Sequence, residues 1–406
     1  MRILSVFGTR PEAIKMAPLV LALGEAEGIE TRVCVTGQHR QMLDDVMSAF
    51  SLKADYDLNI MRPNQSLSEV FSAVMTGIDP IIADYKPDYV LVQGDTATST
   101  AAALAAFFRS VSVGHVEAGL RTGNLMSPWP EEANRRVTAV VTTRHYAPTS
   151  RARSALLKEG YPPEAVIVTG NTVIDGLLRM AANIAQPGEL RRSLEVKYSW
   201  LDTSKRLVLV TGHRRESFGS GFRQICEALK TISRRDDIQI VYPVHLNPNV
   251  RGPVFDHLRD ASNIFLIEPL NYPEFVYLMT RSYLILTDSG GIQEEAPALR
   301  KPVLVMRDTS ERMEAVDAGV ARLVTTDPAR IVAGVERLLD VPAEHEAMSL
   351  GANPFGDGRA SKLIVHDLLN VRRPKHPADG IASVNLLSNT EMHTRPPPPS
   401  IPQPAH

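Results

Sequence analysis

The sequence predicts an α/β protein built on two parallel sheets. Short β-branched runs alternate with helical stretches along most of its 406 residues. The runs are continuously apolar rather than alternating, as in strands covered on both faces. Helical stretches lie between most of them, as parallel connections require. The strongest runs also fall into two sets, which implies two sheets rather than one.

In the first set, Arg2–Phe7, Thr31–Thr36, Tyr89–Gln93 and Val111–Val116 read as buried strands, with an Ala-rich helix at Thr98–Arg109. The second set comprises Leu207–Thr211, Ile238–Val244, Ile264–Ile267, Tyr283–Thr287 and Val303–Met306. Helices are expected at Gly221–Ser233, Pro273–Arg281 and Pro328–Leu339. A strand-like Ala165–Val168 leads into Gly170–Asp175, where the hinge between two domains is expected. The resulting division is residues 1–172, 173–360, a helix over 361–370 that packs back on the first domain, and a tail over 371–406. The tail turns to Arg, Pro, His and Ser, cannot bury enough apolar surface to offset its ordering entropy, and is expected to be disordered.

Composition narrows the function. Lys+Arg 44 against Asp+Glu 46 leaves a formal charge of −2, which gives no electrostatic case for nucleic acid as a partner. Cys34 and Cys226 are far apart and in no metal-ligand spacing, so neither a disulfide framework nor a structural zinc is expected. The opening apolar run is too short for a signal peptide, and no segment reaches the roughly 18 apolar residues of a membrane span. A cytoplasmic chain without a membrane partner is the simplest expectation.

Ligands of open parallel sheets bind beyond the carboxyl ends of the strands, so the residues there are the first to weigh. They are Gly8-Thr9-Arg10-Pro11-Glu12, Gly94-Asp95-Thr96 and Glu117-Ala118-Gly119-Leu120-Arg121 in the first half. In the second half they are His213-Arg214-Arg215-Glu216, His245 and Asp288-Ser289-Gly290-Gly291. So many charged or imidazole groups on one rim point to a cleft between two domains.

The segment TDSGGIQEEAP (287–297) is the most specific local signal. Glycines let backbone approach an anion, and a helix beginning at Ile292 would turn its N–H groups and dipole toward a phosphate. Glu295, one turn inside, is placed to accept hydrogen bonds from a ribose diol. A plain glycine turn before an acidic first helical turn fits the same residues. Neither GxxxxGK[ST] nor a complete GxGxxG occurs, so a dinucleotide cofactor has no motif support. Arg10 and Lys15, with Pro11 at the first helical position, are the natural cations for such a phosphate pair, or else an ordinary solvated helix start. In SPWPEEANRR (127–136), Pro130 starts a helix and Glu131/Arg135 and Glu132/Arg136 are spaced for ion pairs. One of those carboxylates could instead serve as acid or base beside the Glu117 loop. In HRRES, His213 and the two arginines could meet a diphosphate, or the arginines could pair with Glu216.

Ten blocks taken together go further than any one motif. GTRPEAIKMAPLV (8–20), GQHRQML (37–43), QGDT (93–96), HVEAGLRTG (115–123), SPWPEEANR (127–135), GNTVID (170–175), TGHRRESFG (211–219), LTDSGGIQEEAP (286–297), RKPVLVMRDTSER (300–312) and NPFGDGRAS (353–361) occur in this order. Over roughly residues 1–370 the chain resembles the non-hydrolysing UDP-N-acetylglucosamine 2-epimerases. The resemblance implies a glycosyltransferase-B-type fold, two Rossmann-like domains with the active site in the cleft between them. It implies interconversion of UDP-N-acetylglucosamine and UDP-N-acetylmannosamine with no nicotinamide or metal cofactor, in a homodimer supplying cell-envelope polysaccharide.

By the same resemblance, Asp95, Glu117, Glu131 and His213 are catalytic, and Arg10 and Lys15 bind substrate. Leu270 (by its backbone) and Phe275 surround the uracil, Ser289, Gly290 and Gly291 hold the diphosphate, Glu295 the ribose, and Arg312 makes a further nucleotide contact. Gln38, Gln41 and the Glu131–Glu132 region resemble a neighbouring allosteric site for a second substrate molecule. Met313 departs from the family, many of whose members carry proline there. The competing readings are an epimerase of a 2,3-diacetamido uronate nucleotide, a hydrolysing relative that releases the free sugar, a GT-B glycosyltransferase, and a sugar-nucleotide-binding regulator without turnover.

Overall fold

Seven strands form the first sheet in the computed structural model of the chain, which describes residues 1–37 and 40–371, the side chains of Arg40 and Gln41 excepted. They are β1 (Arg2–Phe7), β2 (Glu30–Val35), β3 (Tyr56–Asp57), β4 (Tyr89–Gln93), β5 (Ser112–Val116), β6 (Arg144–Ala147) and β7 (Val166–Val168). Their spatial order is β3-β2-β1-β4-β5-β6-β7, and every pairing is parallel. The second sheet holds β8 (Arg206–Thr211), β9 (Ile238–Pro243), β10 (Ile264–Ile267), β11 (Leu284–Thr287), β12 (Val303–Val305) and β13 (Ala321–Leu323). Its order is β10-β9-β8-β11-β12-β13, again all parallel. Both sheets are doubly wound, with the strand order reversing between β1 and β4 and between β8 and β11. Those switch points are where such sheets leave a crevice.

Three strands escape the sequence reading. β3 has two residues, β13 only three, and β6 (RHYA) carries Arg144 and His145, whose polarity hides a buried strand. The helix after β1 begins at Arg10 with Thr9 as its cap, so Pro11 is its second residue and not its first. The nucleotide-loop helix likewise begins at Gly290 instead of Ile292.

Several helices start directly behind strands on residues suited to the cap. Thr9 and Glu12 form a reciprocal capping box, Thr96 accepts from Ser99 N, and Asn271 accepts from Glu274 N. Such caps fix where each helix leaves its strand and therefore which side chains reach the crevice. The largest apolar core runs through both halves. Phe7, Leu91 and Val116 of the first sheet join Leu209, Ile285 and Val303 of the second by way of Leu177 and Met180 on the helix Thr172–Ala185. Helices Arg10–Glu25 and Thr172–Ala185 pack against each other across Gly176, where a Cβ would lie 2.9 Å from the carbonyl oxygen of Ile14. Only glycine admits that approach, which brings Lys15 toward the crossover.

The helix Ala360–Asn370 packs on the same two helices. Asp175 accepts from Ala360 N and Ser361 N at 3.2 and 2.8 Å, while Asp367 accepts from Arg144 Nε at 2.9 Å and from the Tyr146 hydroxyl at 3.1 Å. Cys34 and Cys226 are free and buried. Among the described residues no helix is long and apolar enough to cross a membrane. Residues 372–406, to which the tail reading applies, lie outside the described residues.

Candidate functional site

A cleft of about 520 Å³ opens between the carboxyl ends of the two sheets. From the first half it takes Arg10, Pro11, Ile14 and Lys15; from the second, His213, Leu270, Phe275, Ser289, Gly291, Glu295 and Arg312 are among its walls. Gly290, between two of these, does not itself line it.

Lys15 does not stand free in the cleft. Its Nζ donates to both oxygens of Glu117 at 2.7 Å, behind the cleft wall. The strand register explains the meeting: Gln93 of β4 lies opposite Val116 of β5, so Glu117 is the first residue beyond the sheet. Gln93 Nε2 and Asn171 Nδ2, the latter at 2.8 Å, also donate to Glu117. Glu117 adopts φ 63°, a left-handed conformation uncommon outside glycine that is tolerated where surrounding contacts over-determine it. Burial pushes its carboxyl up, but Lys15, Arg312 and the Asn171 hydrogen bond outweigh that and hold it below the ordinary range.

Asp95 lies outside the cleft lining, in an ion pair with Arg135 Nη2 at 2.5 Å. Burial raises its pKa; Arg135 opposes that, and Glu117 adds to it. Glu131 also lies outside the lining, and its Oε2 is buried with no hydrogen-bond partner. The expected Glu131/Arg135 pair is not formed, because Arg135 turns inward to Asp95 and to Glu132. Glu132 keeps its expected partner Arg136 at 3.2 Å. It is fully buried and also accepts from Thr122 N and Gly123 N at 3.0 and 3.3 Å, closing the loop before it. Its carboxylate therefore faces the protein. Gln38 lies outside the described residues, as does the side chain of Gln41.

On the opposite wall, Thr211 of β8 pairs in register with Thr287 of β11, which sets His213 beside Asp288. Asp288 is fully buried and accepts from His213 N and Arg214 N at 2.7 and 2.8 Å. The His213 ring stacks on His245 with centroids 5.6 Å apart. Burial lowers the His213 pKa, Asp288 partly restores it, and His245 and Arg214 lower it again. Glu216 pairs with Arg307 and with neither neighbouring arginine. The helix Gly290–Ala298 starts with no side-chain cap at Ser289, so its first N–H groups are open to a ligand. Burial, with Glu294 adding to it, pushes Glu295 up to about 8. Arg10 Nη2 reaches the Leu270 carbonyl at 3.4 Å across the cleft. Arg312 is held by Glu294 and, through its backbone N–H, by Ser310 Oγ at 2.9 Å, so its direction does not depend on proline at position 313.

Sequence reasoning noted Glu12 and Asp288 at strand ends but gave them no role, and it did not single out Asn171 or Glu294. Glu12 ties the first loop to Thr96 Oγ1 at 2.7 Å. Asn171 and Glu294 lay inside quoted blocks, but their partners stand 54 and 123 residues away, and no local pattern reports such a contact. Among the described residues no group of three His, Cys, Asp or Glu side chains could hold a metal ion.

Two doubly wound sheets facing each other across a ligand cleft define a protein of glycosyltransferase-B type. The family model described as UDP-N-acetylglucosamine 2-epimerase matches residues 21–369. The chain belongs to that family. It is 56% identical over 373 residues to UDP-N-acetylglucosamine 2-epimerase of Escherichia coli K12, covering 92% of this chain and 99% of that relative. A crystal structure of UDP-GlcNAc 2-epimerase from Neisseria meningitidis bound to UDP-GlcNAc is 50% identical, covers 91% of this chain and all of its own, and superposes with a TM-score of 0.84. The Methanocaldococcus jannaschii enzyme in complex with UDP-GlcNAc and UDP is 32% identical, with 91% and 99% coverage and a TM-score of 0.75.

Proposed function

We propose that this chain interconverts UDP-N-acetylglucosamine and UDP-N-acetylmannosamine by eliminating UDP and adding it back. The observation that carries this reading is one cleft with an uncapped helix start on one wall and, behind the other, the Lys15–Glu117 pair. The proton at C2 of the sugar is not α to a carbonyl, so direct deprotonation meets a prohibitive barrier. Breaking the C1–O bond with loss of the C2 proton gives UDP and 2-acetamidoglucal. Re-addition of UDP, with a proton delivered to the other face of C2, gives the epimer.

Departure of UDP builds positive charge on the sugar and negative charge on the diphosphate. Ionised Glu117 answers the first charge, and Arg10, Lys15, His213 and the Ser289–Gly291 helix start answer the second. Asp95, raised by burial, and Glu131, with a free buried oxygen, are suited to carry the C2 proton. Glu295, Leu270, Phe275 and Arg312 complete the nucleotide contacts.

The same reading includes a cytoplasmic homodimer whose product enters cell-envelope polysaccharide. Exposed Phe107, Phe108, Val137 and Val140, on two helices packed side by side, support an interface between copies. Sedimentation at twice the chain mass would bear it out, and a monomer would remove it.

Proton NMR of UDP-N-acetylglucosamine with the protein in D2O tests the reaction. Signals of UDP-N-acetylmannosamine with deuterium at C2 and no free sugar are expected. Accumulation of free N-acetylmannosamine and UDP would instead establish hydrolysis. An unchanged substrate would point to another sugar nucleotide or to an acceptor-dependent transfer.

A further inference from the structure

Asn171 occupies the crossover from the first sheet to the second, just before the helix Thr172–Ala185, with its side chain buried. Its Nδ2 donates to Glu117 Oε1 at 2.8 Å and to Glu294 Oε2 at 2.6 Å. Its Oδ1 accepts from Val173 N at 3.2 Å. The amide can point only one way, because a flip would set its oxygen against two carboxylates and its NH2 against an N–H. Both amide protons are therefore committed to carboxylates, one from each half of the molecule. Glu294 in turn holds Arg312 and precedes Glu295, on the helix that begins at the Ser289 loop.

We propose that Asn171 is a positioning residue for the reaction, fixing Glu117 against the nucleotide-binding half by bridging it to Glu294. This rests on the function proposed above. A neutral donor suits the place. The cations Lys15 and Arg312 already balance Glu117 and Glu294, while Asp95, in the loop after β4, and His115 of β5 also act on Glu117. A third carboxylate at position 171 would be unmatched. It would repel Glu117, drive its pKa up and displace it from its present contacts.

The plainer role for Asn171 is to cap the helix it precedes. Aspartate caps as well as asparagine and has the same size, so Asn171→Asp keeps the cap and turns two hydrogen bonds into repulsion. Asn171→Ser keeps a cap and drops both bonds without adding charge. The experiment uses the full chain: kcat and KM for UDP-N-acetylglucosamine across pH, melting temperature, and a 13C NMR titration of the Glu117 carboxyl, assigned with Glu117→Gln.

For Asn171→Asp, kcat is expected to fall at least about tenfold with KM nearly unchanged. The acidic limb of its pH profile and the Glu117 titration should both move up by about one pH unit. Asn171→Ser should lose several-fold in kcat with a smaller shift, and it decides the matter if the aspartate variant does not fold. Parental kcat, pH limb and Glu117 titration in a folded variant would overturn the proposal and leave a cap. An inactive parent would sink the reaction itself, whereas an unmoved Glu117 titration would sink the bridge, so the two failures are separable.

Discussion

The two walls of the cleft treat charge differently. Behind the first, carboxylates are met by cations: Glu117 by Lys15 and Asp95 by Arg135, each from another element, and Glu132 by Arg135 and Arg136 of its own helix. On the second, the Ser289 helix start is left uncapped, and buried Asp288 spends one oxygen on two backbone N–H groups while the other has no hydrogen-bond partner. The first wall is pre-charged and pinned; the second offers free donors to a ligand. The difference suits a site in which one side holds a diphosphate and the other works on the sugar attached to it.

The comparison breaks most sharply at Glu117. Glu117→Gln keeps the size of the side chain but removes the charge, and kcat for epimerisation should fall by roughly 10³-fold. UDP affinity by calorimetry should change far less, since the Ser289 helix start and His213 make no contact with Glu117. A comparable loss of UDP affinity would place Glu117 on the nucleotide side instead.

Next in size is Arg135→Gln. Without its guanidinium the Asp95 carboxyl, already raised by burial, should rise further. About a tenfold loss in kcat is expected, with the acidic limb of the rate profile shifted upward. Activity equal to the parent at all pH values would make Arg135 a loop anchor only.

The join between the walls is tested by Gly170→Ala. Gly170 has φ +84°, and a Cβ there would lie 3.1 Å from the Phe355 carbonyl oxygen and 3.2 Å from Gly356 Cα. Denaturant unfolding should show a loss of about 1–3 kcal/mol; an unchanged midpoint would mean the crossing relaxes freely.

The smallest effect concerns Glu295, whose pKa rises from an ordinary 4.5 to about 8. The folded protein thus keeps a proton that the unfolded chain loses, so this group lowers stability as pH rises through that window. Glu295→Gln should match the parent below about pH 4.5 and exceed it by about 1–2 kcal/mol above pH 8, discounted because the side chain lies at an open cleft. Parallel stability curves would show that Glu295 is ionised in the empty cleft.

Much of the fold was legible because its signals are local. β1, β4 and β10 have the bounds their apolar runs suggest, and the anion-suited turn lies within eleven consecutive residues, 287–297. The resemblance reached the family, and Arg10, Lys15, His213 and Arg312 do share one cleft. What stayed hidden was pairing. Spacing suggested that Glu131 would take Arg135, yet Arg135 turns to Asp95, 40 residues earlier in the chain, because the register of the first sheet brings the β4 loop beside that helix. Arg144 and His145 masked β6 because hydropathy cannot see that Asp367 and Tyr161 cover them.

The sequence by itself determined the alternation of strands and helices, the strand ends that carry the polar groups, and the family. The first two follow from neighbours along the chain, through periodicity, capping and glycine; the family followed from the resemblance of ten ordered blocks. Tertiary structure alone decided which charges meet: that Lys15 is committed to Glu117, that Glu132 faces inward, and that Asn171 spans both halves. Those contacts depend on strand register and on how closely two helices cross at Gly176, and the energy of a buried charge is set by what packs around it in space.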